Sequence, residues 1–222
     1  MKFSLDGLLL IDKPAGVTSH DVVDIIRRRF RIRQVGHGGT LDPAATGLLI
    51  LLVGQATRRA SVLLGADKSY LATLHLGIIT ETQDGMGRVL ETREVGSLTL
   101  LQIERACVHF RGEIEQEVPA YSAVRIRGRR SYEWARAGIA IPRQKRRVTI
   151  HELKVTGVRL PDVELDVTCS KGTYIRTLCA DLGTQLGCGG HMSQLRRVRA
   201  GPFSVDQAVK PEEAGPQHLL PC

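Results

Sequence analysis

A glycine-rich loop at residues 36–47, GHGGTLDPAATG, carries an imidazole at His37 and a carboxylate at Asp42. Four glycines in so short a stretch let the backbone take positive φ and let a ligand come close to the main chain. The loop is not a phosphate cradle, because neither GxxxxGK[ST] nor GxGxxG is present. Asp42 has two readings. An Asp before Pro makes a good helix N-cap, yet only Ala44, Ala45 and Thr46 follow Pro43 before Gly47 and an apolar run. The alternative is a functional carboxylate, and spacing leaves both open. His37 is a local hydrogen bonder or a reacting group. No HxxxH or His/Cys pairing points to a metal, and no GxSxG elbow points to a hydrolase.

Three further places could carry chemistry. Tyr70 is one of four tyrosines in a chain that is 4% aromatic, and on an alternating strand its default role is packing. Tyr174 and Arg176, within SKGTYIRTL at residues 170–178, stand at a helix start, where a capped amphipathic helix with a surface Arg is the plain reading. Residues 125–147 hold nine Lys/Arg against the single acid Glu133, with Tyr132 and Trp134 between them. That combination neutralises phosphates and offers rings for base stacking. A solvated helix face would carry acids in i,i+4 pairs as well, so nucleic-acid binding is the better reading.

These residues need a scaffold. Residues 7–11 read as a strand entering a turn at residues 12–16. Thr18 and Ser19 can cap a helix running to Phe30, with Val22, Ile25 and Ile26 on one face. Residues 48–53 form a buried strand, and residues 55–64 look helical. Residues 69–78 alternate, placing Tyr70, Ala72, Leu74 and Leu76 on one side. Asp84 and Gly85 turn the chain into a hairpin with residues 88–92. Helical periodicity returns at 99–110 and 173–186, strands at 148–160, 163–170 and 192–199. Strands and helices mix without a βαβ rhythm, so the expected class is α+β.

Lys plus Arg outnumber Asp plus Glu 31 to 23, a net charge of +8 with a pI near 9.6. Such a balance favours a polyanionic partner. Mean hydropathy is −0.07 in 222 residues, enough apolar material for a real core. No stretch approaches the roughly 18 apolar residues of a membrane span. Asp6 would interrupt the apolar part of a signal peptide. Cys107, Cys169, Cys179, Cys188 and Cys222 are odd in number and form no CxxC, which fits a reducing cytosol. A cytoplasmic location is expected.

Taken together, the chain resembles the TruB family of tRNA pseudouridine synthases. The resemblance lies in GLLLIDKPAGVTS at residues 7–19, VGHGGTLDPAATG at 35–47, KSYLA at 68–72, YSAV at 121–124, SKGTYIRTL at 170–178, and GCGGH at 187–191 leading to Leu195, Arg196 and Arg197. It implies isomerisation of uridine to pseudouridine at position 55 in the tRNA T-loop, on a mixed, mostly antiparallel pseudouridine synthase sheet flanked by helices and loops. The base is flipped out, its glycosidic bond is cleaved, and it rejoins through C5. No cofactor or metal is implied.

The resemblance also assigns roles. Asp42 matches the catalytic aspartate, Tyr70 the tyrosine that stacks on the target base, and Arg176 the arginine paired with the catalytic carboxylate. Tyr174 and Leu195 match residues lining the uracil pocket, and His37 the histidine beside the extruded base. Lys13, Arg146 and Arg147 are expected to bind RNA. The basic stretch matches a thumb insertion, placed at residues 113–147 of a catalytic domain spanning 1–205. Its presence favours tRNA as the partner with no guide RNA. A monomer is expected. A catalytically silent RNA chaperone, or a synthase of other RNAs, are the alternatives. Val118 stands where the family often has the first of two prolines. Residues 206–222 are expected to be a short tail, without the PUA-like domain that usually follows.

Overall fold

The computed structural model describes residues 5–59, 65–122, 124–126, 128–137, 139, 142 and 144–221, with the side chains of Arg59, Arg125, Ile126, Arg130 and Arg136 outside the description. The chain folds as two compact units, Met1–Leu71 with Leu195–Cys222, and Ala72–Gln194.

The first unit is built around one strand. β1 (Gly7–Lys13) lies antiparallel to β3 (Thr46–Val53), from Gly7 opposite Val53 to Lys13 opposite Gly47. β2 (Val35–His37) pairs antiparallel with the far end of β3. The end of β12 (Gly190–Ala200) runs parallel to the start of β3, with Arg196 opposite Thr46 and Arg197 opposite Gly47. β3 is buried from Gly47 to Val53. A strand covered on both faces needs no polar alternation, which is why LLILLV reads as an unbroken apolar run. Leu8, Leu10, Leu48, Ile50 and Leu52 form one core cluster, with Phe203 and Val205 packed against it.

α1 (Ser19–Phe30) starts as expected at Thr18, whose hydroxyl accepts from the Asp21 N–H while the Asp21 carboxylate accepts from the Thr18 N–H. This reciprocal box satisfies two donors that the first turn would leave open. The buried face is Val22, Val23, Ile26 and Phe30; Ile25 is only half-buried. The expected helix at 55–64 is a 3-10 helix at Gly54–Arg59, and residues 60–64 lie outside the described residues. Residues 206–221 are no loose tail. Val209 and Leu220 hydrogen-bond along β1 at Leu10, Asp12 and Leu8, and β13 (Phe203–Ser204) pairs with β12. Backbone pairing along an otherwise open strand edge holds the segment in place.

The second unit takes β4 (Lys68–Leu76) from Ala72 onward, followed in strand order by β11 (Asp162–Cys169), β10 (Lys145–Arg159) and β7 (Gly112–Glu117). The alternation expected for β4 is present: Tyr70, Ala72, Leu74 and Leu76 are all buried. β5 (Ile78–Thr80) and β6 (Val89–Thr92) make the expected hairpin. α2 (Leu100–Val108) is capped by Thr99 and Gln102. β10 pairs with β7 from Lys145 opposite Glu117 to Ile150 opposite Gly112. Residues 113–117 and 145–147 are therefore sheet strands, and the chain between them carries β8 (Arg125–Ile126), β9 (Arg129–Arg130) and α3 (Ser131–Arg136). The Val118 N–H extends this pairing by donating to the Gln144 carbonyl at 2.8 Å, a bond that proline could not make. α4 (Ile175–Gln185) follows β11.

Candidate active site

The Asp42 loop is held from three directions, all within the first unit. Ser19 is buried, and its hydroxyl both accepts from the Leu41 N–H at 2.9 Å and donates to the Leu41 carbonyl at 3.1 Å. Gly38 N–H donates to the Ile50 carbonyl, and Ala45 N–H closes a tight turn onto the Asp42 carbonyl at 3.0 Å. No helix follows Asp42, so the N-cap reading falls and the carboxylate stands at the head of a turn, half-buried. Gly47 has φ 98°, and a Cβ there would sit 2.3 Å from the Arg197 carbonyl oxygen. Only glycine lets the two backbones approach this closely.

Lys13 supplies the second restraint. Its side chain is fully buried, and its ammonium donates to the carbonyls of Pro14 at 2.9 Å, Val17 at 2.7 Å and Pro43 at 3.2 Å. In this structure the ammonium has no exposed surface and its donors go to three backbone carbonyls of the loop, so it holds the loop in place. Burial lowers its pKa to about 8, opposed by the nearby Asp42 and Asp21 carboxylates and reinforced by Arg197.

Arg197 supplies the third. It is 2% exposed, and its guanidinium donates to the Leu48 carbonyl at 2.7 Å and to the Gly39 carbonyl at 3.2 Å. Beside it, Arg196 forms a two-pronged pair with Asp12 at 3.0 and 2.8 Å. The motifs at 7–19, 35–47 and 195–197 thus converge on one loop. Leu195 is half-buried, and its carbonyl accepts from the Thr46 hydroxyl at 3.4 Å. His37 lies half-buried on β2 opposite Leu51, and Tyr70 is 8% exposed on β4.

Arg176 and Tyr174 belong to the second unit. Arg176 is 5% exposed at the start of α4, not the surface Arg of the plain reading. Its guanidinium donates to the Tyr121 carbonyl at 2.6 Å, faces the Asp84 carboxylate at 3.7 Å, and lies 5.8 Å from the Tyr174 ring centre. Tyr174 is half-buried, and its backbone N–H and carbonyl are both taken by the Gln116 side-chain amide at 2.8 and 3.0 Å.

Asp84 is the residue that sequence reasoning passed over as a turn former. It is 8% exposed and accepts from the Thr82 hydroxyl and from the Met86 N–H at 3.0 Å. Backbone bonds from Gly85 to Met192 and from Met192 to Gln83 anchor its loop to β12. A turn Asp is ordinarily solvated, and nothing local in the sequence marks this one as buried against Arg176.

The cations at the head of β10 are less free than their sequence suggested. Lys145 pairs with Glu115 at 2.7 Å, and Arg147 with Glu113 at 3.7 Å. The count over 125–147 omitted these acids because they lie on the preceding strand. Arg146 is exposed and donates to the Gly172 carbonyl at 3.4 Å. Arg129 lies 5.3 Å from the Trp134 ring centre. Among the described residues no cluster of His, Cys, Asp and Glu could hold a metal ion, and no helix is long and apolar enough to cross a membrane.

Solved structures define the class first. The chain superposes with a TM-score of 0.71 on an H/ACA RNP bound to a substrate RNA containing 2′-deoxyuridine, at 30% identity over 95% of this chain and 52% of that one. It matches a Cbf5-Nop10-Gar1 complex with a TM-score of 0.72 and 34% identity, covering 91% of this chain and 51% of that one. A pseudouridylate synthase at 15% identity and a TM-score of 0.52 shares the fold. The fold is α+β, of the pseudouridine synthase type.

Residues 27–175 match the model of the TruB family pseudouridylate synthase N-terminal domain, and residues 176–214 that of the tRNA pseudouridylate synthase B C-terminal domain. This chain belongs to the TruB family of pseudouridylate synthases. It is 51% identical over 205 residues to tRNA pseudouridine synthase B of Aromatoleum aromaticum, covering 92% of this chain and 66% of that protein. It is 47% identical over 216 residues to the protein of that name from Clostridium kluyveri, covering 97% and 74%. The chain thus spans about two thirds of the length of the first of these relatives and about half of the solved chains.

Proposed function

We propose that this chain isomerises uridine to pseudouridine at position 55 in the T-loop of tRNA, in the cytoplasm, as a monomer and without a guide RNA. The observation that carries the reading is the Asp42 loop, a half-buried carboxylate on a turn held by Ser19, Lys13 and Arg197. Clamping of that kind serves a group that must meet a reacting atom within a fraction of an ångström. Identity of 51% to a tRNA enzyme, against 30–34% to proteins solved within guide-RNA or Cbf5 assemblies, favours tRNA as the substrate.

In this reading the bond between N1 and C1′ breaks, the uracil turns, C1′ joins C5, and the C5 proton is lost as N1 gains one. Atoms and charge balance without cofactor or metal. Asp42 acts on the flipped nucleotide, Tyr70 stacks on its base, and Arg176 supplies the balancing positive charge. Tyr174 and Leu195 line the uracil pocket, and His37 lies beside the extruded base. Arg146 and Arg147 meet the RNA backbone. Extrusion costs a few kcal/mol and less from an unpaired loop, which suits a T-loop over a duplex.

The test is tritium release from T-arm RNA labelled at C5 of uridine. Wild-type chain releases tritium. Asp42→Asn releases none above background, with RNA affinity within about tenfold because binding rests mainly on phosphates. A wild-type chain that binds and releases nothing would overturn the reading.

A further inference from the structure

Residues 27–33 read RRRFRIR, five arginines in seven positions with no acid among them. They close α1 and lead into β2. Two have structural duties. Arg27 donates to the Asp24 carboxylate at 3.0 Å and to the Val35 carbonyl at 2.9 Å, and Arg29 donates to the Ala214 carbonyl.

Arg28, Arg31 and Arg33 differ. All three are exposed, and none forms an ion pair with a described acid. Among the described residues Arg28 reaches the Asp24 carbonyl one turn back, through Nε at 3.3 Å. With Arg27 and Ile32 the three line an open groove of about 540 Å³.

Local structure explains cations at 27–29, since they face the negative end of the helix dipole. It does not explain the other two. Arg31 takes φ 54°, the left-handed position that ends the helix as Ile32 N–H bonds to the Arg27 carbonyl. Glycine or asparagine suits that conformation, and a side chain such as arginine costs about 1–2 kcal/mol there. Arg33 lies beyond the helix altogether. From Arg33 to His37 is four residues, at most about 13 Å of extended chain.

We propose that Arg28, Arg31 and Arg33 form a second RNA-backbone contact. It would take phosphates of the same arm that presents its uridine to Asp42, a few nucleotides from the flipped base. The proposal rests on RNA being the substrate. Guanidinium forks match phosphate oxygens in pairs and read no sequence, so the groove contributes affinity and register. It belongs to the first unit, whereas the basic end of β10 belongs to the second.

The test compares binding of a T-arm hairpin RNA by wild type and by R28Q/R31Q/R33Q across about 50–200 mM salt, with turnover at saturating RNA. Arg27 and Arg29 stay intact to preserve the fold. Each lost phosphate contact removes about 0.7–0.9 from the slope of log affinity against log salt. The triple variant should therefore lose about two, bind at least tenfold more weakly at about 50 mM salt, and keep kcat within about twofold. R28K/R31K/R33K should retain most of the slope. If the triple variant does not fold, R33Q alone, beyond the helix, should lose somewhat less than one. A wild-type slope in a folded Gln variant overturns the proposal, as does a fall in kcat matching the fall in affinity. Should the wild type bind RNA but make no pseudouridine, the catalytic reading fails while the slope comparison still decides this one.

Discussion

The Lys13 ammonium and the Pro43 carbonyl, thirty residues apart in the chain, meet at 3.2 Å at the Asp42 loop. Lys13→Met leaves the carbonyls of Pro14, Val17 and Pro43 without this donor. An unsatisfied buried acceptor costs about 1–3 kcal/mol, and here Pro14 and Pro43 are exposed and Val17 half-buried, so water replaces part of the lost donor. The variant should lose about 1–2 kcal/mol, lowering Tm by about 2–8 °C for a chain of this size, with kcat falling further than affinity. A melting curve and single-turnover rates check both. An unchanged Tm would mean that the three carbonyls find other donors.

The same residue predicts a pH dependence. Burial brings its pKa to about 8 from the usual 10.5. As pH rises through about 8 the amine loses one donor and its charge beside Asp42, so turnover should fall with an apparent pKa near 8. Stability moves the opposite way. Between about 8 and 10.5 the unfolded chain holds a proton that the folded chain has released, so the contribution of Lys13 to unfolding free energy rises with pH. A pH–rate profile of Lys13→Met should lack this limb, and its persistence there would assign it to another group.

Arg176 and Asp84 lead to a separable prediction. In Asp84→Asn the side-chain oxygen can still accept from Thr82 and Met86, but the charge that Asp84 presents to Arg176 is gone. Removing one negative charge from beside a buried guanidinium changes how it is held. The expected result is a kcat at least about tenfold lower, with KM for RNA within about threefold and binding in salt unchanged. A KM effect larger than the kcat effect would make Asp84 a binding residue.

Much of this was legible from residue types, and the misses have one physical origin. Strand alternation placed Tyr70, Ala72, Leu74 and Leu76 on one buried face, and the unbroken run at 48–53 gave a fully covered strand. The Asp42 loop stood out by its glycines. The burial of Lys13 was not legible, because it depends on partners from residues 14, 17 and 43 that only the fold assembles. Asp84 was missed for the same reason, its partner lying ninety-two positions on. The acids facing Lys145 and Arg147 lie on another strand, and only the register of β7 against β10 pairs them.

Those acids give a further prediction. Glu113 and Glu115 compete with RNA phosphates for Arg147 and Lys145. These are exposed pairs worth little to stability, so their removal should leave Tm within about 2 °C. E113Q/E115Q should bind T-arm RNA about three- to tenfold more tightly at low salt, an advantage that shrinks as salt screens both interactions. Weaker binding in this variant would mean that the carboxylates orient the two cations for RNA instead of withholding them.

Asp181, one turn and a half beyond Arg176 on α4, predicts a stability effect with a defined sign. Burial first, and the Glu117 charge second, raise its carboxyl to about 6 from the usual 3.8. Between those values the folded chain binds more protons than the unfolded one, so unfolding free energy falls as pH climbs from about 4 to 6. Above that window the folded state carries the whole cost of a poorly solvated carboxylate. A shift of about two pH units corresponds to roughly 3 kcal/mol at most, and partial exposure reduces it to about 1–2 kcal/mol. Asp181→Asn should therefore raise Tm by about 2–6 °C at pH 7.5 and by almost nothing below about pH 4. Melting curves at the two pH values decide it: an equal gain at both would place the effect in packing, and a loss at pH 7.5 would mean the ionised carboxylate has a partner that stabilises it.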